Sequence, residues 1–175
     1  IELELAKNRI EFNALHDPLT ALANRRKLDD ELDRLVRSGA GRGTRFAILH
    51  LDLDRFKEIN DTLGHAAGDA VLTHTADILS RTVEAGDLVA RIGGDEFVIL
   101  ITRPVTTEEL SLLSERIIEE MRKPVDFDGF SCRCGVSIGI ARSQGIGSDP
   151  RKVLINADIA LYQAKEKGRN GYEFF

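Results

Sequence analysis

The stretch RIGGDEFVIL, Arg91–Leu100, sets two glycines and two adjacent carboxylates, Asp95 and Glu96, between apolar runs. Another apolar run, RFAILHLDL, Arg45–Leu53, gains acids only at its end, where Asp52 and Asp54 flank Leu53. If the second run is a strand that persists far enough, Asp52 and Asp54 share a face and Leu53 points the other way. If the two runs are neighbouring strands, Asp52, Asp95 and Glu96 meet at one sheet edge. Carboxylates packed in this way repel one another and raise one another's pKa unless a cation is present. Hard oxygen ligands suit Mg²⁺ or Mn²⁺, which keep waters and take phosphate oxygens as further ligands. A pair of such ions about 4 Å apart is a standard device for attack on phosphorus. The residues therefore fit metal-assisted phosphoryl transfer, with the substrate still open. A structural alternative stands beside it: Gly93 and Gly94 supply the positive φ of a hairpin, and the acids are solvated at its tip.

The elements that must position these residues follow from periodicity and breakers. Ile1, Leu5, Phe12 and Leu15 fall at near-helical spacing over 1–15, and Pro18 breaks that run. An amphipathic helix is expected from Asn24 to Arg37, stopped by SGAGRG, followed by a strand over Arg45–Leu53. Helix 67–83 places Leu72, Ala76 and Leu79 on one face. Leu88–Ile92 and Phe97–Ile101 read as strands joined by the Gly-Gly-Asp-Glu turn. Helix Thr107–Arg122 with Thr106 or Thr107 as cap, strand Ser131–Ala141, helix Asp149–Lys167 ended by Gly168 and strand Tyr172–Phe174 complete the chain. The central hairpin forces an antiparallel pair, so the fold class is α+β: a mixed, mainly antiparallel five-stranded sheet flanked by helices. No GxGxxG or GxxxxGK[ST] follows a strand, which removes the usual dinucleotide and P-loop readings.

At 175 residues, 42% hydrophobic and 30% charged, the chain has the makings of one domain with a real core. No apolar run approaches the roughly 20 residues of a membrane helix, so no membrane contact by this segment is expected. A net charge of −5 argues against a nucleic-acid partner, since phosphate backbones demand many cations. Cys132 and Cys134 read as reduced packing residues on one side of a strand, which fits a cytoplasmic location. The chain opens on Ile1 without a signal-peptide layout and is expected to be part of a longer protein.

RIGGDEF together with DLDRFKEIND, GHAAGD, SIGIA and ADIALYQAKEKGRN, in this order, resembles the GGDEF family of diguanylate cyclases. The likeness runs from about Asp17, in DPLTALANRR, to the C-terminus. It implies a fold similar to the adenylyl cyclase and polymerase palm core, with 17–175 the catalytic domain and 1–16 a connecting helix from an upstream sensory region. It also implies that two GTP are condensed to cyclic di-GMP and two pyrophosphates across a homodimer, with Mg²⁺ or Mn²⁺, two per half-site. Asp52, the Leu53 carbonyl, Asp95 and Glu96 match the metal-binding positions, with Asp95 and Glu96 catalytic; Glu96 holds metal or helps activate the 3′-hydroxyl. Gly94 would let the nucleotide lie close to the backbone. Asn60 and Asp69 match the pair that reads guanine, where otherwise both would pass for caps. Phe56 and Lys57 match a phosphate loop, and Lys165 and Arg169 a basic pair on the outer phosphates, on one side of the helix if it reaches that far. As a purely structural pair they would serve the helix C-terminal dipole. Arg91 and His65 match accessory residues: Arg91 structural or facing a partner subunit, His65 orienting a loop or touching substrate.

The sequence departs from the family where an Arg-x-x-Asp motif often binds product. Here the aligned residues are EAGD, with Glu84 for the arginine and Asp87 retained, so this product-inhibition site is expected to be degenerate. Ala21 replaces a usual glycine, a loop-packing change. The main rival reading is a GTP-binding module that no longer cyclises and regulates a tethered phosphodiesterase. A mixed GMP–AMP cyclase is disfavoured by Asp69, and a pure cyclic di-GMP sensor by Glu84.

Overall fold

The computed structural model describes residues 1–38, 45–145 and 147–175. The first helix, α1 (Glu2–Leu15), buries none of its residues. Helix α2 (Arg25–Arg37) starts on Asn24, whose side chain accepts from Lys27 N at 3.0 Å, and buries Leu28, Leu32 and Leu35. The stop signal expected in SGAGRG lies beyond Ser38, outside the described residues. Strand β1 (Ala47–Leu53) is buried at every position. Helices α3 (Phe56–Leu63) and α4 (His65–Thr82) follow, separated by Gly64 at φ 90°. Strands β2 (Leu88–Arg91) and β3 (Glu96–Ile101) form the expected hairpin. Helix α5 (Thr107–Arg122) opens on a capping box between Thr106 and Glu109. Strands β4 (Val125–Phe127), β5 (Phe130–Cys132) and β6 (Val136–Arg142) precede α6 (Pro150–Glu166) and β7 (Tyr172–Phe174).

The main sheet runs β2-β3-β1-β6-β7. All its pairings are antiparallel except β6 with β7, so the mixed, mainly antiparallel five-stranded sheet is as the pattern predicts. Alternation along β1 splits the core. Leu49, Leu51 and Leu53 join α4 and α5 residues on one face, while Ile48 joins Leu28, Leu32 and Ala157 on the other. His50 and Asp52 share the parity of Ile48 and so belong to the α6 face.

Three expectations need correction. Helix α3 was hidden: Arg55 sits in the left-handed region at φ 55°, and eight residues are too few for a periodic signal to emerge. Helix α4 begins at His65 rather than 67, because Gly64 breaks the chain only there. The expected strand Ser131–Ala141 is two strands, with β5 pairing β4 in a separate hairpin turned by Asp128 and Gly129 at positive φ. Cys134 therefore lies between strands, not on one strand with Cys132, and both thiols are free and buried.

Candidate active site

The register of the sheet brings the acids together. Asp52 on β1 stands directly opposite Glu96 on β3, and Leu53 N donates to Asp95 O at 3.1 Å. Asp52 is 8% exposed. Its Oδ1 is buried without a hydrogen-bond partner, while its Oδ2 receives the Lys165 ammonium from α6. Burial, then the facing charge and carboxyl of Asp52, with Glu96 adding a smaller push, raise the Asp95 pKa to about 6. A buried acceptor with no donor and an acid that resists ionisation both call for a cation. No group of three or more His, Cys, Asp or Glu side chains among the described residues is by itself arranged to hold a metal ion. An open, acid-lined edge is the form that suits an ion taking water and phosphate as its other ligands.

Asp54 is not part of this cluster. Strand β1 ends at Leu53, and the Asp54 carboxylate turns away to accept from Ser137 Oγ at 2.6 Å and Asn170 N at 2.9 Å. It fastens the loop after α6 to the start of β6.

The turn itself disposes of the structural account of its glycines. Neither Gly93 nor Gly94 has a positive φ. A Cβ on Gly94 would meet nothing within 4 Å. Gly94 thus leaves open space beside the acids. What shapes the turn is Arg91, whose guanidinium donates to Gly94 O at 2.9 and 3.1 Å and to both oxygens of Asp17 at 3.1 Å. Asp17 also accepts from Thr20 N and Oγ1, and its pKa is lowered by these bonds and by Arg91, against burial, which pushes it up. Of the alternatives for Arg91, the contacts within this chain are structural.

Phe56 and Lys57 occupy the first turn of α3, not an irregular loop. Phe56 is buried and Lys57 exposed. The first N–H groups of a helix have no intrahelical acceptor, which makes this end a place for anionic oxygens. Asn60, within α3, presses its side chain against Gly68, where any Cβ would collide with its Oδ1. Asp69 is the next residue and is exposed, so Asn60 and Asp69 are neighbours. Since α4 begins at His65, Asp69 lies inside the helix and caps nothing. His65 is exposed at the helix start. Lys165 and Arg169 do not share a helical face: α6 ends at Glu166, and Arg169 follows in the left-handed region at φ 64°.

Two arrangements escaped the sequence. His50 lies on the Asp52 face with Asp158 Oδ1 3.3 Å from Nδ1 but off the line of a hydrogen bond, leaving both ring nitrogens without a partner. Burial lowers its pKa, against smaller opposing pushes from Asp158, Glu96 and Asp52. The alternation in HLDLD carried that signal. Arg103, at the far end of β3, pairs with both Glu84, at 3.2 Å, and Asp87, at 3.2 and 3.3 Å. The Asp87 side chain is 2% exposed, and it also accepts from Glu84 N.

The sequence profile described as "Diguanylate cyclase, GGDEF domain" matches residues 14–171. The chain belongs to the GGDEF family. Among curated relatives, this GGDEF chain is 43% identical over 162 residues to the bifunctional diguanylate cyclase/cyclic di-GMP phosphodiesterase MucR of Pseudomonas aeruginosa, covering 93% of this chain and 24% of that protein. It is 40% identical over 157 residues to the diguanylate cyclase TpbB of the same species, covering 89% of this chain and 36% of the relative. The chain thus spans about a quarter to a third of these relatives' length. Among solved structures, the coiled coil and GGDEF domain of DgcB from Caulobacter crescentus in complex with c-di-GMP superposes with a TM-score of 0.91 at 31% identity. That match covers 99% of this chain and 92% of the other. The GGDEF neighbours share the palm-like cyclase fold that the resemblance implied.

Proposed function

We propose that this domain is a diguanylate cyclase that condenses two GTP into cyclic di-GMP and two pyrophosphates across a two-fold pair of half-sites. The observation that carries the reading is the partnerless, buried Asp52 Oδ1 facing Asp95 and Glu96 beside an open Gly94. Asp52, Asp95, Glu96 and the Leu53 carbonyl would hold Mg²⁺ or Mn²⁺, two ions per half-site, and the ions would neutralise phosphate charge and favour an ionised hydroxyl. The first turn of α3, at Phe56 and Lys57, takes phosphate oxygens, with Lys165 and Arg169 on the outer phosphates. Lys165 now sits on Asp52 and turns to the phosphates when substrate arrives. Asp69 accepts from guanine N1–H and N2–H₂, the Asn60 amide makes the further contact to the base, His65 borders it, and Glu96 is placed to hold metal or take the proton of the 3′-hydroxyl. That hydroxyl attacks the α-phosphorus of the GTP on the other copy and pyrophosphate leaves; the reciprocal attack closes the ring. One half-site cannot complete this, so a homodimer is required.

Helix α1, with Leu3, Leu5, Ile10 and Phe12 all at least half exposed, serves as the connecting stem from an upstream sensory region. No helix of the described residues is long and apolar enough to cross a membrane. A cytoplasmic setting, where GTP is available, completes the reading.

The deciding experiment is GTP turnover with Mg²⁺ by the domain fused to a dimerising coiled coil, products resolved by chromatography. Cyclic di-GMP that disappears in Asp95→Ala and Glu96→Ala establishes the cyclase. GTP bound but unconverted in the enforced dimer establishes instead a non-cyclising regulatory module.

Two further results are expected. Gly68→Ala displaces the Asn60 side chain, because the added Cβ occupies the place of its Oδ1. KM for GTP should rise about 10-fold or more with kcat changed far less, since a lost polar contact to a base costs on the order of 1–3 kcal/mol. An unchanged KM would show that Asn60 does not touch the base. The product site is closed as well as degenerate: Asp87 is enclosed and already paired with Arg103, and Glu84 repels phosphate. Calorimetric titration of cyclic di-GMP should show no micromolar site that depends on Asp87, and such a site abolished by Asp87→Ala would refute this.

A further inference from the structure

A cleft of about 770 Å³ opens on the side of α3 turned away from α4, bounded also by the β5–β6 connection and the loop after α6. Ile59, Leu63, Met121 and Cys132 give it apolar walls, and Arg55, Arg133 and Arg169 line it with exposed guanidinium side chains. None of these three arginines has a carboxylate partner among the ion pairs of the described residues, although the chain as a whole carries −5. Of the acids in the lining, Asp54 is spent on Ser137 and Asn170, which leaves Glu58. Arg55 and Arg169 are both held in the left-handed region, at φ 55° and 64°, a costly conformation for residues with a Cβ. The adjacent Cys134 thiol is pushed up to about 12, first by burial and then by Asp54, so this wall is inert rather than nucleophilic.

We propose that this cleft binds a small organic phosphate, its flat apolar body against Ile59, Leu63 and Met121 and its phosphate held by Arg55, Arg133 and Arg169. The volume falls within the roughly 300–1,000 Å³ of small-molecule sites, and guanidinium groups match phosphate in charge and in donor geometry. Three unpaired arginines around an apolar floor select for this class over a neutral metabolite or a cation. Arg169 is also the residue that the cyclase reading places on the substrate's outer phosphates. On that reading, an occupant of the cleft competes for Arg169 and weakens GTP binding.

Met121 is the only methionine in the chain, so a methyl-¹³C methionine label yields one NMR signal that reports on the cleft. Titration with 1-naphthyl phosphate should shift this signal saturably. Arg133→Glu, at an exposed position, should weaken the binding at least about tenfold without changing the melting temperature, while Asp69→Ala should leave it unchanged. No saturable shift at millimolar probe overturns the proposal, as does equal affinity in Arg133→Glu. Affinity lost in Asp69→Ala instead places the probe in the substrate site and equally overturns it. Calorimetric GTP binding with and without saturating probe then tests the coupling: weaker GTP binding supports the shared Arg169, and unchanged binding refutes it. A chain that binds no GTP overturns the cyclase reading, and the Met121 signal still decides the cleft.

Discussion

On the proposed cyclase reading, Asp95→Asn should abolish cyclic di-GMP synthesis and yet make the metal-free domain more stable at neutral pH. If Asp95 holds metal as proposed, its loss is expected to cost more than about 100-fold in turnover, beyond the 10–100-fold typical of groups that merely support a ligand. The stability gain follows from the same carboxyl. Its pKa is raised from the usual carboxylate range to about 6, by burial first and the facing Asp52 next. Between the two values the folded state binds more protons than the unfolded, so stability falls as pH climbs from about 4 to about 6 and stays lowered above that. Because the group is only partly buried, solvent screening reduces this to about 1 kcal/mol, or about 2–4 °C in Tm for a domain of this size. The variant should therefore melt above the wild type at pH 7.5, with the gap closing toward pH 4. Mg²⁺ should raise the Tm of the wild type and leave the variant unmoved. Melting curves that coincide at pH 7.5 would show that the acids are not under mutual strain.

Gly139→Ala is the substitution expected to cost the fold most. Gly139 lies in the middle of β6, and a Cβ there would run into backbone atoms of α6, the carbonyl of Ala157 and the amide and Cα of Leu161. No side chain can swing aside, so the whole helix must ride off the sheet. Overpacking costs on the order of 1–3 kcal/mol when side chains can give, and more where backbone is the obstacle. Thermal unfolding should show a Tm at least about 6–12 °C lower. Because α6 also carries Lys165, the damage reaches the acids at its far end. A Tm within about 2 °C of wild type would mean that α6 floats on the sheet rather than seating on it.

The parts legible in the sequence were those encoded within a few residues. Apolar runs ending in acids marked β1 and the hairpin, and their chemistry located the Asp52, Asp95 and Glu96 edge without any distance in hand. Tyr172–Phe174 and Thr107–Arg122 match the observed elements residue for residue, because a turn glycine and a capping threonine delimit them. The misses share one cause. Whether Asp54 shares the Asp52 face stays open in the sequence, because the end of a strand is set by its neighbours, and here Ser137 and Asn170 draw the carboxylate away. The Gly93–Gly94 pair suggested positive φ because glycine permits it, yet the hydrogen bonds from Arg91 hold a turn that does not use it. Lys165 and Arg169 share one side only if the helix reaches that far, and it stops three residues before Arg169. Arg103 closing on Asp87, and Arg91 reaching Asp17 across 74 residues of sequence, leave no local trace.

The Asp17–Arg91–Gly94 connection has a mechanical meaning. The end of α1 is stitched to the start of α2 by Asn24, through its N–H to Leu15 O and its side-chain amide to Ala14 O. From there Asp17 grips Arg91, and Arg91 grips the carbonyl next to Asp95. Stem and turn are thus joined by an unbroken chain of hydrogen bonds. If α1 is the proposed stem of a dimeric cyclase, a torque delivered along it would reorient each half-site whole, leaving its internal arrangement intact. An input signal would then be read in how two copies face each other, and a mutation that loosens Arg91 would uncouple input from output while sparing the fold.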